Sequence, residues 1–265
     1  MWDSLIITPF INVLLFIYNL VGQNFGVAII LFTILIRLIT YPLNASQVKA
    51  SQSMQKLNSD KRWIDAQEKY KNDKERLAQE QMKLYKELGI NPFASCLPTL
   101  IQFPIIIGLY QSLLQAMASS PLDLVKLIGH IYPGWMDVGS LIPLHSQFLW
   151  FDLGSPERLF LPFLPTIGIP VLAILVVVTT YLQQKLMTPP STGSKDQSAQ
   201  MMGMMNIYMP LLMGWLAWTL QGGLAVYFVT SNLFGIAQYA LMGRLNWRNL
   251  LPKEKKEKPT IQSGK

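Results

Sequence analysis

The chain has 265 residues, 51% of them hydrophobic and 14% charged, with a formal net charge of +7. Its apolar residues are gathered in runs too long for a soluble core, which excludes a soluble domain and points to an all-α integral membrane protein. A lone Cys96 with only His130 and His145 beside it offers neither disulfide nor metal cluster. No phosphate loop, nucleophile elbow or intramembrane carboxylate pair is present either, so neither a cofactor nor ordinary enzyme chemistry is expected.

Residues 1–23 carry Asp3 and no Lys or Arg, which is not the start of a signal peptide. Ser4, Thr8, Asn12, Asn19 and Gln23 fall within about 100° of one another on a helix, a narrow polar stripe on an apolar rod. The expectation is an amphipathic helix on the outer membrane surface. A further span, joined to the next at residues 22–24, would leave the later topology unchanged.

The first predicted span covers residues 24–43 and holds Arg37 inside its apolar run. Gly26, Thr33, Arg37, Thr40 and Asn44 project within about 60° of each other, so the charge lies on a continuous polar face. A charged side chain deep in a span costs roughly 2.5–3.5 kcal/mol on insertion scales and normally faces a bundle interior or a hydrated cavity. The alternative is that Arg37 snorkels to the headgroups near the end of its span.

Residues 45–88 read as a cytoplasmic helical hairpin. Opposite charges recur at helical spacing: Lys61 with Asp65, Asp65 with Lys69, Lys71 with Glu75, Arg76 with Glu80, Lys83 with Glu87. Asn58, Ser59 and Asp60 supply the turn, and Gly89 followed by Pro92 the end. Its few large apolar residues, among them Trp63, Ile64, Tyr70, Leu77, Leu84, Tyr85 and Leu88, predict hardly any core. It is either a solvated spacer or a mobile docking element.

Four more spans follow: 94–117 with Gln102, Gln111 and Gln115; 159–182, with Thr180, Gln183 and Gln184 at its end; 201–220, which opens on Met201, Met202, Met204, Met205 and Met209; and 223–242 with Tyr227, Ser231 and Gln238. Between the second and third, residues 118–158 form a loop with Asp123, Asp137, Asp152 and Glu157 against Lys126 and Arg158. The hairpin and the tail, residues 244–265, are rich in Lys and Arg, so both belong in the cytoplasm and the loop outside. Five spans with an outside N-terminus and a cytoplasmic C-terminus satisfy all of this. The tail KEKKEKPTIQSGK reads as disordered, binding anionic lipid or the phosphates of ribosomal RNA.

Polar stripes on several spans argue for a shared hydrophilic cavity lined by Arg37, Thr33, Thr40, Asn44, Gln102, Gln183, Gln184, Tyr227 and Ser231. No acidic residue lies in a span to pair with Arg37. A cation-coupled carrier would carry Asp or Glu near the midplane. An anion transporter or channel, with Arg37 holding the solute, is the rival to a cavity that receives a transient partner.

These residues resemble the YidC/Oxa/Albino membrane protein insertases from about Asn24 to Met242. The resemblance rests on Arg37 with Pro42-Leu43; the charged hairpin ending in Asn91-Pro92; Cys96-Leu97-Pro98 with Leu100-Ile101-Gln102-Phe103-Pro104; Phe148-Leu149-Trp150-Phe151-Asp152-Leu153; and Gly223-Leu224 with Tyr227 and Ser231-Asn232. Gln221-Gly222 before Gly223-Leu224, Phe228, and Asn58-Ser59 in the hairpin turn depart from the common pattern. The chain looks like the minimal bacterial form, for which neither the large extracytoplasmic domain nor the lipoprotein cysteine of some members is expected. The resemblance implies a multi-pass protein of the bacterial cell membrane that inserts nascent membrane proteins into the bilayer, alone or beside the Sec translocon. The ribosome would meet its hairpin and tail, and no DNA is involved. It also implies substrate contact on the second and fourth spans, where Met201, Met202, Met205 and Met209 offer a flexible surface for a sliding apolar segment.

Overall fold

The computed structural model describes residues 1–58, 60–71, 73–91, 97–117, 121–136, 144–161, 164–187, 197–243 and 245. Ser59, Pro92, Cys96, Asp137 and the basic tail lie outside them. A wide helical turn, Asp3–Ile7, runs into α1, Thr8–Leu20. Gly22 and Gln23, both with left-handed φ (70° and 63°), reverse the chain. The Asn24 side chain then accepts from the Val27 N–H and starts α2, Phe25–Ile39. Pro42 has no N–H to offer the Leu38 carbonyl, and the helix breaks at Thr40 before resuming as α3, Tyr41–Asn58.

The charged segment is three helices, not two. After α3 come α4, Lys61–Lys69, capped by Asp60, and α5, Lys74–Glu87, capped by Asp73. Asp73 caps only if the long helix expected here breaks at residues 70–73. The ion pairs shift with it. Arg76 pairs with Asp73, Lys83 with Glu80, and Arg62 bridges Asp60 and Glu87 across the turn. The near-absence of a core is also corrected: Leu57, Trp63, Leu84 and Tyr85 are buried together, flanked by Ala66, Leu77 and Ile90.

α6 spans Leu97–Ala116 and α7 Pro121–His130. Two short antiparallel strands follow, β1 (Gln147–Phe148) and β2 (Phe151–Asp152), joined through Leu149 at a φ of 55°. The expected span 159–182 begins instead as a second hairpin, β3 (Leu159–Leu161) on β4 (Leu164–Ile169). Pro165 and Pro170 cannot donate within a helix, and the residues before them, Leu164 and Ile169, are steered to extended backbone. Helix starts only at α8, Val171–Met187, so among the described residues four short strands join the helices. α9, Gln197–Thr219, and α10, Gly222–Leu241, complete the bundle.

α10 is the central helix, packed on α2, α6, α8 and α9. Gly223 meets Ile29 and Ser231 meets Arg37, both 194 positions apart, so α2 and α10 run parallel in constant register. Asn232 meets Thr179 and Gly235 meets Gln183, so α8 runs parallel to them. One end of this bundle carries the β hairpins and α7, the loop end; the other carries α3, α4 and α5, the hairpin end.

The wide turn and α1 leave Ser4 and Asn19 of the polar stripe exposed and bury the residue at the stripe's middle. Asn12 is fully buried: its amide donates to the carbonyls of Thr8 and His130, and its oxygen accepts from the Tyr132 N–H. Ile7, Ile11 and Leu15 pack on Leu127 and Ile131 near and within α7. Trp2 reaches Gln111, Ile6 sits against Gly108, Phe10 on Phe32 and Tyr18 on Phe25. Among the described residues, Asp3–Leu20 and Gly222–Leu241 have the length and hydropathy of a span, while Phe25–Ile39 and Val171–Met187 are shorter apolar helices.

Candidate functional site

Arg37 lies on the α2 face turned towards α10. Its Nε donates to the Ser231 hydroxyl at 2.9 Å, and Nη2 donates to the same oxygen. The guanidinium therefore turns inward onto a neighbouring helix. Among the described residues no carboxylate pairs with it. One turn before Ser231, the Tyr227 hydroxyl accepts from the Gln102 amide of α6. Four side chains from three helices thus meet, with Tyr227 and Ser231 buried and Arg37 and Gln102 half-buried.

The other expected cavity residues are placed unequally. Thr33 is fully buried and spends its hydroxyl on the Ile29 carbonyl at 2.6 Å, and Thr40 bonds the Ile36 carbonyl. Neither hydroxyl is presented to a partner on another helix. Gln183 extends its amide against Gly235, where a Cβ would lie 2.4 Å from Nε2, and Gln184 is half-buried beside it. Asn44 lies in the first turn of α3, its amide nitrogen buried with no acceptor among the described residues.

Gln102, Gln111 and Gln115 do not share one polar surface. Gln111 accepts from the Trp2 indole, and Gln115 lines a separate cleft of about 570 Å³ at the loop end with Asp123, Lys126, Ser146, Asp152 and Gln221. Gln102 and Gln115 are separated by about 220° and most of the helix length. Asn232, named above only as part of the resemblance, has a packing role that the sequence did not reveal. Its amide donates to Thr179 and Thr180 at 3.1 and 2.8 Å, fastening α10 to α8. An amide beside Ser231 in an apolar helix was the available signal.

Between the Arg37 cluster and the loop-end cleft lies an apolar plug. Phe25, Ile29, Phe32, Leu109, Leu113, Phe151, Leu153, Leu224 and Phe228 belong to one buried core. The β1–β2 hairpin closes it: the Gly222 and Gly223 N–H groups donate to the Ser155 and Leu153 carbonyls, and the Phe148 ring lies over Gly26. Buried Glu157 accepts from the Leu172 N–H and the Trp150 indole, tying the loop to the start of α8.

Of the methionines expected to form a sliding surface, Met209 is half-buried, and the side chains of Met201, Met202 and Met205 lie outside the described residues. Met204, Ile207, Tyr208, Leu211, Trp215 and Trp218 form an exposed apolar face along α9.

The family model described as 60Kd inner membrane protein matches residues 16–248. The membrane protein insertase MisCA of Bacillus subtilis is 34% identical over 243 residues, covering 91% of this chain and 78% of its own. The membrane protein insertase YidC of Oceanobacillus iheyensis is 32% identical over 249 residues, with coverages of 92% and 84%. A crystal structure of an active YidC insertase with its first transmembrane domain resolved superposes with a TM-score of 0.55 at 26% identity. That match covers 89% of this chain and 45% of the other.

Proposed function

The chain belongs to the 60Kd inner membrane protein family, the YidC/Oxa group, and we propose that it works as a membrane protein insertase through a half-channel that ends at the apolar plug. The observation that carries the mechanism is this one-sidedness. The Arg37, Ser231, Tyr227 and Gln102 cluster lies towards the hairpin end, and the buried apolar core closes the loop end beyond it. Such a site receives a hydrophilic segment part-way and shortens the hydrocarbon path it must cross. An anion channel needs a polar route through, and the plug stands in that route.

In this reading α2, α6, α8, α9 and α10 are the five spans, the charged helices face the cytoplasm, and α1 rests obliquely against the loop end. The positive-inside distribution supports the orientation. α1 touches the second half of α6 and the first half of α2, as an oblique placement requires. The incoming segment exchanges an acidic side chain for the Ser231 hydroxyl on Arg37. Its apolar neighbour moves along the exposed face of α9 into lipid. The basic tail meets the ribosome, and partnership with the Sec translocon is compatible with the exposed apolar face of α9.

The test is insertion of a single-span protein into proteoliposomes, with an acidic or a neutral translocated segment. A pair of unit charges about 4 Å apart at an effective dielectric near 20 is worth about 4 kcal/mol. Arg37→Ala should therefore cost the acidic substrate roughly tenfold or more and the neutral one far less, while Arg37→Lys retains much of the activity. Equal losses for both substrates, or flux of a labelled anion without insertion, would overturn the proposal.

A further inference from the structure

α7 divides its surface three ways. At about 100° per residue, Asp123, Lys126 and His130 fall within about 60° of one another, while Leu122, Val125 and Ile128 share a separate arc of about 120°. Leu127, on the side away from Val125, is fully buried in the cluster with Ile7, Ile11 and Leu15. Asp123 and Lys126 border the loop-end cleft. The arc of Leu122, Val125 and Ile128 is left bare, at 75%, 68% and 52% exposed. Just beyond it Tyr132 is exposed as well, its ring edge-on to that of exposed Trp135. Trp135 in turn stacks on exposed Phe16 of α1, with ring centroids 5.8 Å apart.

We infer that α7 lies in the membrane interface on the loop side, its Leu122, Val125 and Ile128 edge seated among the acyl chains of the outer phospholipid leaflet; this rests on the five-span reading above. A helix with a wide uncharged apolar arc and a separate polar one is built to lie in the plane of that boundary. Tyr and Trp gather at the headgroup level, where a ring body meets apolar surroundings and its polar end meets water. Tyr132 and Trp135 follow the arc directly. The stack with Phe16 also joins this edge to α1, whose stretch Asp3–Leu20 has the hydropathy of a membrane segment. Lipid thus covers what in water would be an exposed apolar patch. The seating has a mechanical consequence. The His130 carbonyl and the Tyr132 N–H hold Asn12 of α1, so α7 in the leaflet fixes the depth at which α1 packs on α2 and α6.

Nitroxide labels report the seating directly. In a Cys96→Ser background, Leu122→Cys, Val125→Cys, Ile128→Cys and Lys126→Cys are labelled singly and reconstituted into phospholipid vesicles, with a neutral nickel chelate on both faces. Labels on the apolar arc should collide with dissolved oxygen several-fold more often than with the chelate, and the label replacing Lys126 should reverse that ratio. Chelate access on the arc equal to that at Lys126 would put the arc in water and overturn the inference. Oxygen preference at Lys126 as well would immerse the whole helix and overturn the interfacial placement. Protection of the arc from both reagents would show a protein cover, a second copy where spin–spin broadening vanishes on dilution with unlabelled protein, and would overturn lipid as the occupant. Leu233→Cys, on an exposed side of α10, separates the inference from its premise. Chelate access there defeats the five-span reading, whereas oxygen preference there with chelate access on the arc defeats the seating of α7 alone.

Discussion

Replacing Gly26 by alanine tests whether the loop end is closed by packing. A Cβ at Gly26 would lie 2.1 Å from Cδ2 and 2.2 Å from Cγ of Phe148. Carbon atoms in contact sit about 3.5–4.0 Å apart, so the ring must retreat by roughly 1.4 Å. It cannot simply swing away. Phe148 pairs with Phe151 across the β1–β2 hairpin, Phe151 lies against Gly222, and that end of α10 is held by the bonds from Gly222 and Gly223 to Ser155 and Leu153. Overpacking of this kind costs about 1–3 kcal/mol, and a rigid ring on a tethered hairpin argues for the upper part of that range. Gly26→Ala should lower the thermal unfolding midpoint of the detergent-solubilised protein and raise passive anion leak in proteoliposomes, since the hairpin seals the plug. Phe148→Leu in the same chain should recover part of both. A midpoint and a leak equal to those of the unsubstituted protein would refute the packing argument.

Two other outcomes are expected. Asn232→Ala removes two bonds between α10 and α8; interhelical bonds in membranes average about 0.6 and reach about 1.7 kcal/mol, so a modest fall in the unfolding midpoint with near-normal insertion should result, and a collapse of activity without loss of stability would move Asn232 into the substrate site. Removing residues 253–265, which include Lys253, Lys255, Lys256, Lys258 and Lys265, should weaken ribosome binding most at low salt, as counterion release requires; binding unchanged at low salt would assign the tail to topology alone.

The helices that build the site were legible because their signals are local. Hydrophobic run length marks α2, α6, α8, α9 and α10 to within a few residues, except where Pro165 and Pro170 turn the start of the third run into β3 and β4. Those prolines were visible, but a run of apolar residues reads alike as helix or buried strand until its breakers are weighed. Face periodicity brought Arg37, Tyr227 and Ser231 together correctly, since each pair is separated by whole helical turns or by the parallel register. It misled for Asn12, because a polar stripe on α1 shows only that the helix has two faces. The stripe does not say that the end of α7 and the turn after it will supply the His130 carbonyl and the Tyr132 N–H to meet it. The three-helix form of the charged segment was missed because Asp73 reads equally well as a surface charge or a cap.

A guanidinium inside an apolar bundle is costly unless it is bonded, and a buried carboxylate would be the strongest partner for it. This chain gives Arg37 a serine hydroxyl instead. A fixed carboxylate would satisfy the charge permanently and leave nothing to offer an incoming segment. On the proposed mechanism a neutral hydroxyl would keep the cation bonded while the groove is at rest and would be displaced at little cost by an anionic oxygen, because a charge-assisted bond is roughly twice as strong as a neutral one. The same reasoning explains why the plug lies immediately beyond. Apolar closure on the loop side keeps the local dielectric low where the exchange occurs, so the advantage of an acidic ligand over the hydroxyl is preserved. On the proposed mechanism the groove would then end where the attraction is greatest, and a segment held there would complete its crossing only as its apolar neighbour left sideways into lipid.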